Sequence, residues 1–301
     1  MFHVLSAAQF SKDEILEILH SASQMEAILE GPGFCELAKG KILAALFYEP
    51  STRTRLSFET AMLRLGGGVI SETDVTFSSI TKGEVLPDTI RIVSNCADVI
   101  AMRSKTKGDA AIAAEYSSVP VLNGGDGSGE HPTQSLLDLY TISKEFDLES
   151  AMNVAFIGDM KYGRTVHSLT TMLRHFPNIK LQFIAPDALQ IPDSYFQEGD
   201  LKQEALSDEI IANADVIYDT RIQKERFEDP AQYEKFKSVY IFDVEQVNKM
   251  KDSAILMHPL PRVNEITLAV DDLPQARYFQ QAANGIPVRM ALIAKALNLS
   301  A

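Results

Sequence analysis

The segment Glu49-Pro50-Ser51-Thr52-Arg53-Thr54-Arg55 places three hydroxyls and two guanidiniums in a row directly after an apolar run at 41–47. That run reads as a buried strand, and 53–65 as the helix that follows it. Phe58, Ala61, Met62 and Leu65 recur at i, i+3, i+4 and i+7. In open α/β sheets, ligands bind beyond the carboxyl ends of strands, where helix amino termini point. Ser51 or Thr52 can cap such a helix while its free N–H groups face an anion. Arginine adds bidentate donors that match phosphate oxygens. The chemistry on offer is therefore phosphate binding, and the same residues also fit an ordinary capped helix with two surface arginines. No GxxxxGK[ST] and no GxGxxG follows a strand; Gly158-Asp159-Met160-Lys161-Tyr162-Gly163 lacks the glycine spacing. A kinase or a nucleotide-dependent dehydrogenase is disfavoured.

The elements that would position this loop alternate along the chain. Gly66-Gly67-Gly68 stops the first helix, a short strand at 69–70 follows, and a polar loop runs over 73–83. Helices are expected at 86–95, 109–117 and 131–146, strands at 98–102 and 119–123, and a Gly-rich loop at 124–129. A second set has strands at 153–157, 181–185, 214–218, 238–242 and 254–257, with helices at 163–175, 203–213 and near 244–250. Alternation of this kind implies right-handed crossovers and mostly parallel sheets. The expectation is an α/β protein of two doubly wound domains, each a mostly parallel sheet flanked by helices. The domains are 1–149 and 150–286, with a hinge at 147–152. The last stretch, from Pro287, reads as an amphipathic helix, with 287–301 returning to the first domain.

Composition narrows the classes. A chain of 301 residues fits two domains, and 46% hydrophobic with 23% charged residues excludes disorder, collagen and a disulfide scaffold. No stretch approaches the roughly 18 to 20 apolar residues that span a bilayer. The start, Met1-Phe2-His3-Val4-Leu5-Ser6, lacks the pattern of a secretory signal. Two cysteines, Cys35 and Cys96, form no CxxC pair and no metal spacing. A net charge of -13 argues against nucleic acid or an anionic membrane as partner. A soluble protein of the reducing cytoplasm is expected.

Ser51-Thr52-Arg53-Thr54-Arg55 resembles the carbamoyl phosphate signature of the aspartate/ornithine carbamoyltransferase family. Three further stretches, in the same order along the chain, resemble the aspartate branch of that family. They are Gly125-Asp126-Gly127 with His131-Pro132-Thr133-Gln134, then Gly163-Arg164-Thr165-Val166-His167, then His258-Pro259-Leu260-Pro261-Arg262. The ornithine branch typically carries a cysteine where this chain has Pro259. The resemblance implies transfer of the carbamoyl group from carbamoyl phosphate to L-aspartate, giving N-carbamoyl-L-aspartate and phosphate in pyrimidine synthesis. It implies no metal, no cofactor and no covalent intermediate, so catalysis rests on positioning and electrostatics.

Residue roles follow from the same resemblance. Ser51, Thr52, Arg53 and Thr54 would hold the phosphate. Thr54, Arg103 and His131 would address the carbonyl oxygen, Gln134 the carbamoyl amide, and Leu260 with Pro261 would complete the carbamoyl phosphate site. The Leu260 carbonyl would also orient the amine, with Arg262 supporting its loop. Aspartate brings two carboxylates, for which Arg164 and Arg221 are the clamps, helped by Gln223 and Lys82. Ser78 and Lys82 sit in the polar loop that, in this family, reaches a neighbouring subunit's active site, which implies a homotrimer. The His-Pro-Leu-Pro-Arg form resembles the branch whose trimers can associate with separate regulatory chains. Two departures stand out: Thr81 replaces a second lysine common in enteric relatives, and Asp219 precedes Thr220-Arg221. Asp219 either sets a negative charge beside the aspartate site or points away from it.

Both substrates are anionic and the chain is acidic, so a local cluster of Arg53, Arg103, Arg164, Arg221 and Lys82 must override the global field at short range. The competing readings are an ornithine-accepting relative, a catalytically silent scaffold and a phosphate-binding module. Pro259 and the two second-domain arginines favour aspartate as acceptor.

Overall fold

A computed structural model of the chain describes residues 1–72, 83–127, 129–223, 227 and 230–299. Strand β1 (Ile42–Phe47) is buried from Leu43 onward. A continuous apolar run is what a strand covered on both faces requires. It pairs in parallel with β2 (Gly68–Glu72) on one side and β3 (Val99–Ser104) on the other, and β3 pairs in parallel with β4 (Val121–Asp126). The order β2-β1-β3-β4 reverses direction between β1 and β3. Ligands of doubly wound sheets bind at such a reversal, beyond the strand ends. Val4 bridges to Leu122 along β4, so the amino-terminal segment covers an edge that would otherwise expose unpaired backbone.

The chain forms two compact units, Met1–Tyr140 with Asn284–Ala301, and Thr141–Ala283. In the first, α1 (Lys12–Glu30), α2 (Thr52–Arg64), α3 (Leu86–Val93), α4 (Asp109–Tyr116) and the first part of α5 (Pro132–Glu145), through Tyr140, accompany the sheet. The α1 helix has no counterpart in the expected pattern, although its start is marked in the sequence. Ser11 accepts the Glu14 N–H while the Glu14 carboxylate accepts the Ser11 N–H, a capping box.

The second unit repeats the parallel plan with five strands. These are β5 (Met152–Ile157), β6 (Ile179–Ile184), β7 (Leu201–Gln203), β8 (Val216–Asp219) and β9 (Ile255–Met257), in the order β7-β6-β5-β8-β9. All pairs are parallel and the reversal falls between β5 and β8. Its helices are α6 (Arg164–Leu173), α7 (Asp208–Asn213), α8 (Pro230–Phe236), α9 (Val244–Val247) and α10 (Tyr278–Ala283). The last helix, α11 (Gly285–Ala296), belongs to the first unit and packs on α1 and α2.

Four expectations change. The segment at 124–129 is not wholly a loop: β4 runs through Gly124 and Gly125 to Asp126, because a backbone without side chains can pass close to its neighbours. A Cβ at Gly124 would lie 3.1 Å from the Met102 carbonyl oxygen. The helix expected at 203–213 is shortened to α7, since Leu201–Gln203 pairs with β6 as an edge strand. Residues 238–242 form no strand. Phe242 alone bridges to Ile266, with Val239 and Ile241 exposed, so the run is covered on one side only. Finally, α11 is not amphipathic: ten of its twelve residues are buried. Each fully buried Ile, Leu or Met there contributes about 1.5–3 kcal/mol.

Candidate active site

At the first reversal, the Tyr48 N–H donates to the Arg103 carbonyl at 2.9 Å, so the ends of β1 and β3 run side by side past the sheet. Ser51 occupies the N-cap of α2 but makes no side-chain capping bond. Its hydroxyl and the first-turn amides are therefore not spent on each other, contrary to the capping expected. Thr54 is buried, while Thr52 and Arg53 are exposed on the same turn. Arg55 turns to Glu59 at 3.0 Å, and Glu59 also accepts the Ser71 hydroxyl at 2.6 Å. The second arginine of the signature is thus engaged in a helix-surface ion pair.

Arg103 is gripped from two elements. Its Nε donates to Glu49 Oε2 at 3.0 Å and its Nη1 to the Gly124 carbonyl at 3.2 Å. Burial pulls its pKa below the ordinary arginine value; Glu49 opposes this, and the nearby Arg53 charge adds to it. Two guanidiniums close enough to repel are an arrangement that a multiply charged anion relieves. Pro132 opens α5 at the position where its missing N–H costs nothing. His131 just before it is 4% exposed, and its carbonyl accepts the amides of Gln134 and Ser135. The carboxylate of Asp126 fixes this loop by accepting Gly108 N–H at 2.8 Å, Glu130 N–H at 2.7 Å and Asn123 Nδ2 at 3.3 Å. Gln134 donates to Asp138 at 2.7 Å.

Sequence reasoning missed Arg289. It is buried on α11, donates to Ser57 at 2.9 Å and Thr133 at 3.3 Å, and lies 4.9 Å from the centre of the Phe58 ring. It thereby ties α11 to α2 and to the first turn of α5. Burial pulls its pKa down to about 9, which Asp138 opposes and Arg103 reinforces, so it stays charged at neutral pH. One arginine inside an apolar helix was the available signal.

At the second reversal, Ile157 of β5 faces Asp219 of β8. Thr220 fastens the two ends: its N–H and its hydroxyl both reach the Ile157 carbonyl, at 2.8 and 3.2 Å, and its Oγ1 accepts the Asp159 N–H at 3.1 Å. Contact is so close that a Cβ at Gly158, which has φ +113°, would sit 2.1 Å from the Thr220 carbonyl oxygen. Arg164 opens α6, and Arg221 follows Thr220; both are half-buried. Gln223 donates to the Tyr162 carbonyl at 3.2 Å, joining the loop after β8 to the loop before α6.

The loop after β9 is fixed by His258. Its Nδ1 accepts the Leu260 N–H at 2.8 Å, so the proton sits on Nε2, which reaches Glu265 at 2.8 Å. Burial lowers the His258 pKa, against the pull of Glu265. Glu265 is pushed up by burial but held below the ordinary range by its bonds to His258, Val263 and its own backbone. Leu260 has φ +54° and a cis bond to Pro261. Arg262 donates to both oxygens of Asp271 and to the Tyr278 hydroxyl, bracing the far side of the loop.

Asp219, the other departure, is fully buried, and its oxygens make no hydrogen bond of ordinary geometry. Burial, together with the Glu265 charge, pushes its pKa well up, against the pull of the Thr220 backbone, so the site favours the neutral form of this acid. Ser78, Thr81 and Lys82 lie outside the described residues. Among the described residues no cluster of His, Cys, Asp and Glu is arranged to hold a metal, and no helix is long and apolar enough to cross a membrane.

Two parallel-sheet units, each with guanidiniums at its strand-order reversal, define a doubly wound α/β protein. The chain belongs to the aspartate/ornithine carbamoyltransferase family: its carbamoyl-P binding domain matches residues 3–144 and its Asp/Orn binding domain residues 150–296. The chain is 52% identical over 301 residues to the aspartate carbamoyltransferase catalytic subunit of Methanocaldococcus jannaschii, covering 98% of this chain and 97% of that one. A crystal form of the M. jannaschii catalytic subunit superposes with TM-score 0.91 at 50% identity, over 99% and 98% of the two chains. Aspartate transcarbamoylase from Trypanosoma cruzi, in complex with carbamoyl phosphate and aspartate, superposes with TM-score 0.92 at 39% identity, over 99% and 97%.

Proposed function

We propose that this chain transfers the carbamoyl group of carbamoyl phosphate to the amine of L-aspartate, in the reaction that leads to pyrimidines. The aspartate nitrogen attacks the carbamoyl carbon, the bond from that carbon to the phosphate oxygen breaks, and inorganic phosphate leaves with the proton the nitrogen gives up. Negative charge grows on the carbonyl oxygen and the departing phosphate, so fixed donors at those atoms lower the barrier. On the first unit, Ser51, Thr52, Arg53 and Thr54 take the phosphate, Arg103 and His131 the carbonyl oxygen, and Gln134 the amide. On the second, Arg164, Arg221 and Gln223 take the aspartate carboxylates, while the Leu260-Pro261 segment presents a backbone carbonyl.

The observation that carries this reading is the partly buried Arg103 guanidinium at the end of β3, held by the Glu49 carboxylate and within reach of the Arg53 charge. A dianionic phosphate is the ligand whose charge such a pair lacks. The assembly we infer is a homotrimer of cytoplasmic chains in which Ser78 and Lys82 serve a neighbour's site; it matches the branch that can recruit regulatory chains. Two experiments test this. Carbamoyl phosphate labelled at the carbamoyl carbon should yield product whose label is bonded to aspartate nitrogen. Mixing inactive Arg53→Ala and Lys82→Ala chains should restore part of the activity if sites are shared, and none if each chain works alone.

A further inference from the structure

Asp219 is a fully buried carboxyl group whose oxygens make no hydrogen bond of ordinary geometry, and the Thr220 N–H that acts on it is bonded to the Ile157 carbonyl. It ends β8 with Ile157 of β5 on one side and, since Tyr218 pairs with Met257, the end of β9 on the other. The ionisable groups on the elements around it are Asp159 after β5, His258 after β9, Glu265 on the loop beyond, and Arg221 on its own strand's extension. Asp159 Oδ1 accepts the Tyr162 N–H, and Glu265 accepts His258 and the amides of Val263 and Asn264. His258 cannot become a counter-cation without losing the Leu260 N–H that its Nδ1 accepts. Arg221 lends its charge to His258, while the charge that Asp219 feels most is that of Glu265. A buried carboxylate with no bonded cation or donor is far costlier than the neutral acid.

The junction that seals Asp219 is also the one that aims the half-site. Thr220 joins β8 to the Ile157 carbonyl and the Asp159 N–H, and Arg221 continues directly from it. Asp159 then leads, through Tyr162 and Gly163, to Arg164. A charged Asp219 needs water or a cation, and either can reach it only if the ends of β5 and β8 part.

We propose that Asp219 is a proton-gated positioning residue of the dicarboxylate half-site, keeping the β5–β8 junction closed while it holds its proton and loosening Arg164 and Arg221 when the proton passes to solvent. This rests on Arg164 and Arg221 as the holders of the aspartate carboxylates. Succinate is the suitable probe, because it has two carboxylates and no amine to titrate. Its inhibition constant is measured with the full-length protein at saturating carbamoyl phosphate, for wild type, Asp219→Asn and Asp219→Leu. Wild-type affinity should fall as pH rises, approaching about tenfold per pH unit beyond the titration, while both variants stay flat relative to it. An infrared difference spectrum of wild type against Asp219→Asn at neutral pH should contain the carbonyl stretch of a protonated carboxyl. Parallel pH profiles in all three proteins, or absence of that band, would overturn the proposal alone. A protein that neither turns over aspartate nor binds succinate at any pH would remove the reading of the half-site, and this proposal with it.

Discussion

In the first unit, the Arg103 guanidinium is bonded at 3.0 Å by the carboxylate of Glu49 and feels the charge of the exposed Arg53. In the second, Arg221 leaves a strand whose last residue, Asp219, is a fully buried acid with no hydrogen bond of ordinary geometry. The topology is the same, since both sets of residues stand where strand order reverses. The charge balance is opposite. Glu49 holds its arginine in place by a direct ion pair, whereas burial favours the neutral form of Asp219 at the end of the strand that leads to Arg221. A parallel sheet fixes where an anion site lies, and the surrounding acids decide how its cations are kept in readiness.

The contrast can be broken at several points. Arg53→Ala removes a donor that strengthens as phosphate leaves, so kcat/KM should drop on the order of a thousandfold with an unchanged circular dichroism spectrum. Activity near that of wild type would remove the first half-site from the mechanism. Arg289→Met leaves the buried Asp138 without its nearby cation and should cost about 3 kcal/mol or more in denaturant unfolding. Arg221→Ala should raise KM for aspartate about a hundredfold while carbamoyl phosphate affinity, measured by calorimetry, stays put. An equal loss for both substrates would show that the halves are not independent.

Asp219→Leu acts on stability. Because the folded state holds the Asp219 proton more tightly than the unfolded chain, its contribution is full below the ordinary carboxylate range and is lost as pH rises toward the raised value. The melting temperature of wild type should therefore fall relative to that of Asp219→Leu as pH rises from about 4 upward. The smallest effect is expected from Arg55→Ala, which breaks a partly exposed helix ion pair. It should cost about 0.5 kcal/mol and leave turnover within a factor of about two.

Much of this arrangement was readable from residue order because parallel strands buried on both faces appear as continuous apolar runs. The ends of β1, β5 and β8 could be located, and with them Ser51, Arg164 and Arg221. What could not be read depends on partners distant in sequence. Arg289 meets Ser57 across 232 positions, and no local pattern records that pairing. Arg55 looked equivalent to Arg53 until the helix turned it toward Glu59. Asp219 reads as a charge in sequence, and only its burial between β5 and β9 favours the uncharged form. The one-sided run at 238–242 failed for the converse reason, since apolar residues there face solvent as well as core.

The central claim is that one unit takes a carbamoyl-bearing phosphate and the other a dicarboxylate amine. Phosphate release from carbamoyl phosphate by the purified protein, with L-aspartate and with L-ornithine as acceptors, tests it most directly. Release that depends on aspartate, with N-carbamoyl-L-aspartate formed in equal amount, is the predicted result. Release that depends on ornithine, or silence with both acceptors from a folded protein, would contradict it.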